Sequence, residues 1–157
     1  MKQKKRTKLD LPACHEVQIH YKRPLFNKNK KITSSEDAEK ILREFVDANR
    51  IDHKEFFWVI LLTNANQVIG ISEIGVGTTK GVMVNTKEIC QLALLTNTVG
   101  ILVAHNHPSG KLIPSESDLR MTENFKKIFK LLDINLLDHI IISSEGYYSF
   151  TDNNDLP

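Results

Sequence analysis

The sequence predicts an α/β fold, a mixed β-sheet sandwiched by helices. Short apolar runs rich in β-branched and aromatic residues recur at 55–62, 99–105 and 137–143, the pattern of buried strands. Stretches with helical spacing of apolar residues separate them, at 33–49, 86–97 and 115–132. Turn formers at Thr63–Asn66 and around Gly146 fold neighbouring strands back as hairpins. Strands alternating with helices in this way place the helices on the faces of the sheet.

In chain order, residues 1–12 carry no periodicity and read as disordered. Val17-Gln18-Ile19-His20-Tyr21 alternates apolar and polar, as an edge strand does, and Pro24 ends it. A polar connection covers 27–31. Thr33-Ser34-Ser35-Glu36 has the form of a capping box and opens a helix to about Asn49, with Ala38, Ile41, Leu42, Phe45 and Val46 on one face. Residues 55–62 form a strand buried on both faces, and 67–77 return as its partner. Gly70, Gly75 and Gly77 mark bulges or close backbone approach there. A short strand fits 82–84. Asn85 caps the helix 86–97, with Glu88 at its third position and Ile89, Leu92, Ala93 and Thr96 on one side. The strand 99–105 leads into a loop over 106–114. Ser115-Glu116-Ser117-Asp118 opens the helix to about Leu132, and strands 137–143 and 147–150 complete the fold. The polar tail 152–157 reads as frayed. We therefore expect a basic N-terminal arm with an edge strand over 1–31, one α/β domain over 32–151 and a C-terminal tail over 152–157.

Composition bounds the function. With 157 residues, 41% of them hydrophobic and 25% charged, the chain suits one soluble domain with a real core. No apolar run approaches the roughly 20 residues of a membrane helix, and the basic N-terminus lacks the apolar stretch of a signal peptide. Two cysteines, Cys14 and Cys90, match no paired spacing, and Cys90 falls in an apolar helical pattern as a small core residue. A cytoplasmic protein is the expectation. The net charge of +2 hides an asymmetry: residues 1–31 hold ten Lys or Arg against Asp10 and Glu16, a balance of +8, and the remainder carries −6. Such an arm suits contact with an anionic polymer, a nucleic acid among them, or an anionic surface; the plainer alternative is a solvated, disordered tail.

The chemistry concentrates in His105-Asn106-His107-Pro108-Ser109-Gly110, followed by Pro114-Ser115 and Asp118. His105 ends a buried strand, and in extended backbone the side chain two residues on points to the same side. Asp118 falls in the first turn of the next helix, facing back toward the strand's carboxyl end, where open α/β sheets bind ligands. Two imidazoles and one carboxylate are the usual donor set of a catalytic zinc site, which keeps a fourth place for water and lowers its pKa toward about 7. The same donors accept manganese, iron or nickel. Glu55, a carboxylate at the mouth of an apolar strand, is a candidate proton shuttle, with a solvated residue as the plain alternative and Glu73 as rival. Ser115 is a candidate oxyanion donor and equally a helix N-cap. His139 interrupts the last long apolar run and reads as a core histidine rather than support for a ligand. The letters His-Asn-His do not make a nuclease, since no second histidine suits a ββα-metal motif. A deaminase is disfavoured by the absence of H-x-E and P-C-x-x-C, and H-E-x-x-H is absent as well.

The pattern His-x-His-Pro, six residues, Ser-x-x-Asp resembles the JAMM signature of the JAB/MPN metallopeptidases. The form His105-Asn106-His107-Pro108-Ser109-Gly110 with Leu137-Asp138-His139 resembles their bacterial RadC-like branch, as do Glu55-Phe56-Phe57-Trp58-Val59 and Gly77-Thr78. The similarity spans roughly residues 33–151. It implies a cytidine-deaminase-like fold, one Zn²⁺ held by His105, His107 and Asp118, Glu55 as general acid/base and Ser115 as oxyanion support. Relatives outside the branch cleave isopeptide bonds, such as those to ubiquitin, and the branch itself carries a DNA-repair label. Its longer members place a helix-hairpin-helix region before the metal domain. Here the basic arm stands in that place, which counts against duplex DNA binding. The expectation is a zinc metallopeptidase acting on a peptide or isopeptide substrate, and the alternative is a DNA-associated accessory module with a structural metal site.

Overall fold

A computed structural model describes residues 30–79 and 81–157, together with Lys22. The elements are α1 (Ser35–Phe45), β1 (Phe56–Leu62), β2 (Val68–Val76), α2 (Thr86–Leu95), β3 (Gly100–Asn106), α3 (Glu116–Lys130), β4 (Asn135–Ser143) and β5 (Gly146–Ser149). The strands form one five-stranded sheet in the order β2-β1-β3-β4-β5. β1 runs antiparallel to β2 and β3, β3 runs parallel to β4, and β5 returns antiparallel to β4. The mixed sheet expected from the sequence is therefore present. Its parallel pair is the one joined by a helix, as a parallel connection requires.

Alternation in the central strands divides the core. Phe56, Trp58, Ile60 and Leu62 face α1, where Ala38, Ile41 and Leu42 pack on them. Phe57, Val59 and Leu61 face the other way, against Ile89 and Ala93 of α2 and Phe125 and Phe129 of α3. Every residue of β1 and β3 is buried. Burying each large apolar side chain contributes about 1.5–3 kcal/mol, and these strands carry the fold. Cys90 lies partly buried against the α2/α3 side. Among the described residues no helix is long and apolar enough to cross a membrane.

Several local expectations are corrected. Ser34, not Thr33, is the N-cap of α1 and accepts from Asp37 N–H, while Thr33 donates to the Asp37 carboxylate through both its backbone and its hydroxyl. The helix stops at Phe45 rather than Asn49, because Val46 turns extended and packs against the core, and Asp47 then starts a turn closed by Arg50 N–H. Residues 82–84 join no ladder; they lie against the end of β2. A Cβ on Gly75 would meet Val82 Cγ2 at 2.8 Å, and one on Gly77 would meet the Gly81 carbonyl at 2.1 Å, so close approach is what these glycines supply. Gly70 sits beside a register shift at Leu61/Leu62 instead. The tail does not fray: Asp155 and Leu156 N–H both bond the Phe150 carbonyl, and Ser35 donates to Asp152 at 2.5 Å. The arm other than Lys22, Lys30 and Lys31, with the edge strand at 17–21 and Cys14, lies outside the described residues.

Candidate metal centre

β3 presents His105 on the α3 face of the sheet, wholly buried between Phe57 of β1 and Ile141 of β4. The strand runs one residue further than its apolar pattern suggests, and the ladder continues to His107 N–H, which donates to the Ile142 carbonyl at 3.0 Å. Extended backbone through His107 puts both imidazoles on one face. Gly110, with φ 79°, then closes a turn onto the His107 carbonyl at 3.0 Å. Asp118 arrives from the third position of α3. Its Oδ2 accepts from Ser115 N–H at 2.7 Å and Ser115 Oγ at 2.6 Å, and Asp118 N–H donates back to Ser115 Oγ at 3.2 Å. The capping box that starts the helix thus also aims its carboxylate.

The three side chains converge. Their candidate donor atoms all lie within 4.8 Å of one another. His105 Nε2 and His107 Nε2 are 3.0 Å apart, His105 Nε2 is 3.4 Å from Asp118 Oδ1 and His107 Nε2 is 3.5 Å from Asp118 Oδ2. A tetrahedral zinc ion with ligands near 2.1 Å needs donors about 3.4 Å apart, so the spacing fits. His107 Nδ1 bonds the Lys111 carbonyl at 2.8 Å. A carbonyl only accepts, so Nδ1 carries the hydrogen and, in the neutral ring, Nε2 is left as a lone pair facing the gap. The donor set and its spacing suit a divalent cation.

Charge is organised around this point. Burial would raise the Asp118 carboxyl, but the His105 and His107 imidazoles and the Ser115 hydroxyl beside it outweigh that and hold it far below the usual carboxylate range. The same carboxylate raises His107. Desolvation raises Glu55, against the pull of the two histidines. His139 is held well below the ordinary imidazole value by burial and by the neighbouring His105.

Glu55 stands at the entrance to β1 and lines an open cleft of about 290 Å³ with His107, Ser115 and Asp118. Its backbone bonds Thr78 O at 2.9 Å and Gly77 N–H at 2.8 Å, and Val82 lines the same cleft. Its rival is elsewhere. Glu73 pairs across from Trp58 on the α1 side and accepts from Trp58 Nε1 at 3.3 Å and Arg50 at 3.4 Å.

Two side chains gain importance that their sequence positions did not show. Asn106 is fully buried and faces α1; its Oδ1 accepts from Phe56 N–H at 2.6 Å, and its Nδ2 donates to Ile51 O at 2.6 Å and Lys54 O at 2.7 Å. It clamps the segment that delivers Glu55. His139 is buried, as expected of a core residue, yet it also touches a candidate ligand: its Nε2 is 2.8 Å from His105 Nδ1 and its Nδ1 is 2.6 Å from Thr122 Oγ1. The period-two placement of His139 beside β3 was the signal available; the strand register that makes it reach His105 was not.

A family model for the RadC-like JAB domain matches residues 32–155. The chain belongs to the RadC-like JAB domain family. A UPF0758 protein of Flavobacterium johnsoniae is 40% identical over 125 residues, covering 80% of this chain and 53% of the relative. UPF0758 proteins of Chlorobium phaeovibrioides and Thermotoga maritima are 34% and 33% identical, each match covering 94% of this chain and 65% of the relative. This RadC-like JAB domain therefore spans between about half and two thirds of the length of these curated relatives. The match includes the described sheet, all three helices and the converged His105, His107 and Asp118.

Proposed function

We propose that the protein is a zinc-dependent hydrolase of an amide bond, a metallopeptidase or isopeptidase, working in the cytoplasm. The observation that carries this reading is the convergence of His105, His107 and Asp118 at an open cleft that Glu55 also lines. When bound, a divalent cation supplies Lewis acidity and an activated water. Glu55, raised by desolvation, takes a proton at its carboxylate and returns it to the leaving amine. Ser115 holds Asp118; for its hydroxyl to stabilise an oxyanion it must leave Asp118 Oδ2, which Ser115 N–H then still holds at 2.7 Å. The test is zinc content of the purified chain together with cleavage of peptide and ubiquitin-type isopeptide substrates. Glu55→Gln is expected to keep its zinc and lose roughly 10²–10⁴-fold in turnover, and His107→Ala to lose both. A Glu55→Gln protein with undiminished turnover removes Glu55 from the chemistry.

A second reading, a DNA-associated accessory module, rests on the +8 balance of residues 1–31. It expects DNA affinity that falls steeply with salt and disappears when residues 1–8 are deleted.

A further inference from the structure

The hydrogen bonds behind His105 have a direction that can be worked out from one end. Thr122 Oγ1 lies 2.6 Å from the Asp118 carbonyl oxygen, one turn back along α3. Two oxygens that close must share a hydrogen, and a carbonyl has none to give, so the Thr122 hydroxyl donates there. Its only hydrogen is thereby used. The contact of 2.6 Å between Thr122 Oγ1 and His139 Nδ1 must then run the other way, with His139 donating. A neutral imidazole protonated on Nδ1 has a lone pair on Nε2. His139 Nε2 therefore accepts across 2.8 Å, and the donor is His105 Nδ1. His105 is left with its own lone pair on Nε2, the atom 3.0 Å from His107 Nε2 and 3.4 Å from Asp118. The reverse chain would put a hydrogen on that atom and leave Thr122 and the Asp118 carbonyl in contact with nothing between them.

We propose that His139 and Thr122 are positioning residues that lock His105 in the tautomer able to bind the cation. Neither touches the gap between the ligands. All three side chains are wholly buried, so no solvent is at hand to substitute for a lost donor or acceptor. The rings are also held from turning. Phe150 stacks on His139 with centroids 4.5 Å apart and planes 15° apart, and Phe57 lies over His105 at 6.3 Å and 10°. The chain of bonds closes on itself, from one ligand through His139 and Thr122 to the backbone of Asp118, another ligand. One hydroxyl on α3 thus sets the hydrogen placement on β4 and on β3 together. Support of this kind typically contributes 10–100-fold to metal affinity.

The inference rests on the metal reading of the site and not on the hydrolysis of any substrate. It is tested in the full chain by long-range ¹H–¹⁵N correlation spectra of the zinc-free protein and by zinc affinity measured against a chelator. In the unmodified chain His105 and His139 are both expected to carry hydrogen on Nδ1. Thr122→Val keeps the shape but removes the acceptor, so His139 moves its hydrogen to Nε2 and drives that of His105 onto the atom facing the ion. Zinc Kd is then expected to rise roughly 10–100-fold, and Thr122→Ser to restore both the spectrum and the affinity. A hydrogen on His105 Nε2 in the unmodified chain overturns the proposal, and so does a folded Thr122→Val protein with unchanged Kd. If Thr122→Val does not fold, the spectrum of the unmodified chain still decides. Neither readout uses a peptide, so expected tautomers and tight zinc with no amide cleavage would overturn the hydrolase reading alone.

Discussion

His107 and Asp118 shift each other's titration, and a cation held at His107 Nε2 would compete with the proton there. His107 is raised above its ordinary 6.5 by Asp118, so its contribution to metal-free stability is full below 6.5 and is lost as pH rises through the raised value. Asp118 is lowered from 3.8, so its contribution is present above 3.8 and is lost as pH falls toward the lower value. The pair therefore favours the metal-free fold between these limits, where it also opposes zinc. The rise in Tm on adding zinc is expected to grow from about pH 5.5 to about pH 8, read by calorimetry at fixed zinc, and a constant rise would count against His107 as a ligand. Asn106 acts at the same scale. Asn106→Leu leaves Phe56 N–H and the Ile51 and Lys54 carbonyls without their partner, a cost of roughly 3 kcal/mol in urea unfolding. Because it holds the approach to Glu55 and no ligand, turnover should fall while zinc affinity changes little.

The two serine caps separate structure from site. Ser34→Ala and Ser115→Ala each remove an N-cap hydroxyl and are each expected to cost about 1 kcal/mol in denaturant unfolding. Only Ser115→Ala should also weaken zinc, by about tenfold or more, since Ser115 Oγ holds Asp118 Oδ2 at 2.6 Å. Equal zinc affinity in the two variants would break the link between helix start and metal centre. Gly77→Ala tests the segment after β2. The added Cβ would meet backbone, the Gly81 carbonyl at 2.1 Å, and must push away the stretch at Gly81 and Val82 that lines the cleft with Glu55. A loss of turnover with zinc retained is the expected outcome. Patterning made the elements legible but not their ends. Spacing placed Ala38, Ile41 and Leu42 on one face, whereas the cap fell on Ser34 because Thr33 was already engaged with Asp37. The apolar letters at 82–84 looked like a strand, yet the segment packs against the glycines at the end of β2 without entering a ladder.

At the scale of the whole molecule, the C-terminal residues close the sheet over the site. Asp155 and Leu156 tie to the carbonyl of Phe150, whose ring covers His139. Deleting residues 152–157 removes these bonds and the packing of Leu156, and a loss of roughly 2 kcal/mol in thermal or urea unfolding is expected. Strand alternation, helix periodicity and the spacing of His105, His107 and Asp118 follow from near neighbours in the chain, so the sequence alone determined the mixed sheet, its covering helices and the three residues to inspect. Their convergence, the exclusion of Glu73 to the opposite face, the clamp made by Asn106 and the contact of His139 with His105 depend on register between strands far apart in sequence. Only tertiary structure decided those, because a shift of one residue in any of these pairings would turn the same side chain to the other face of the sheet.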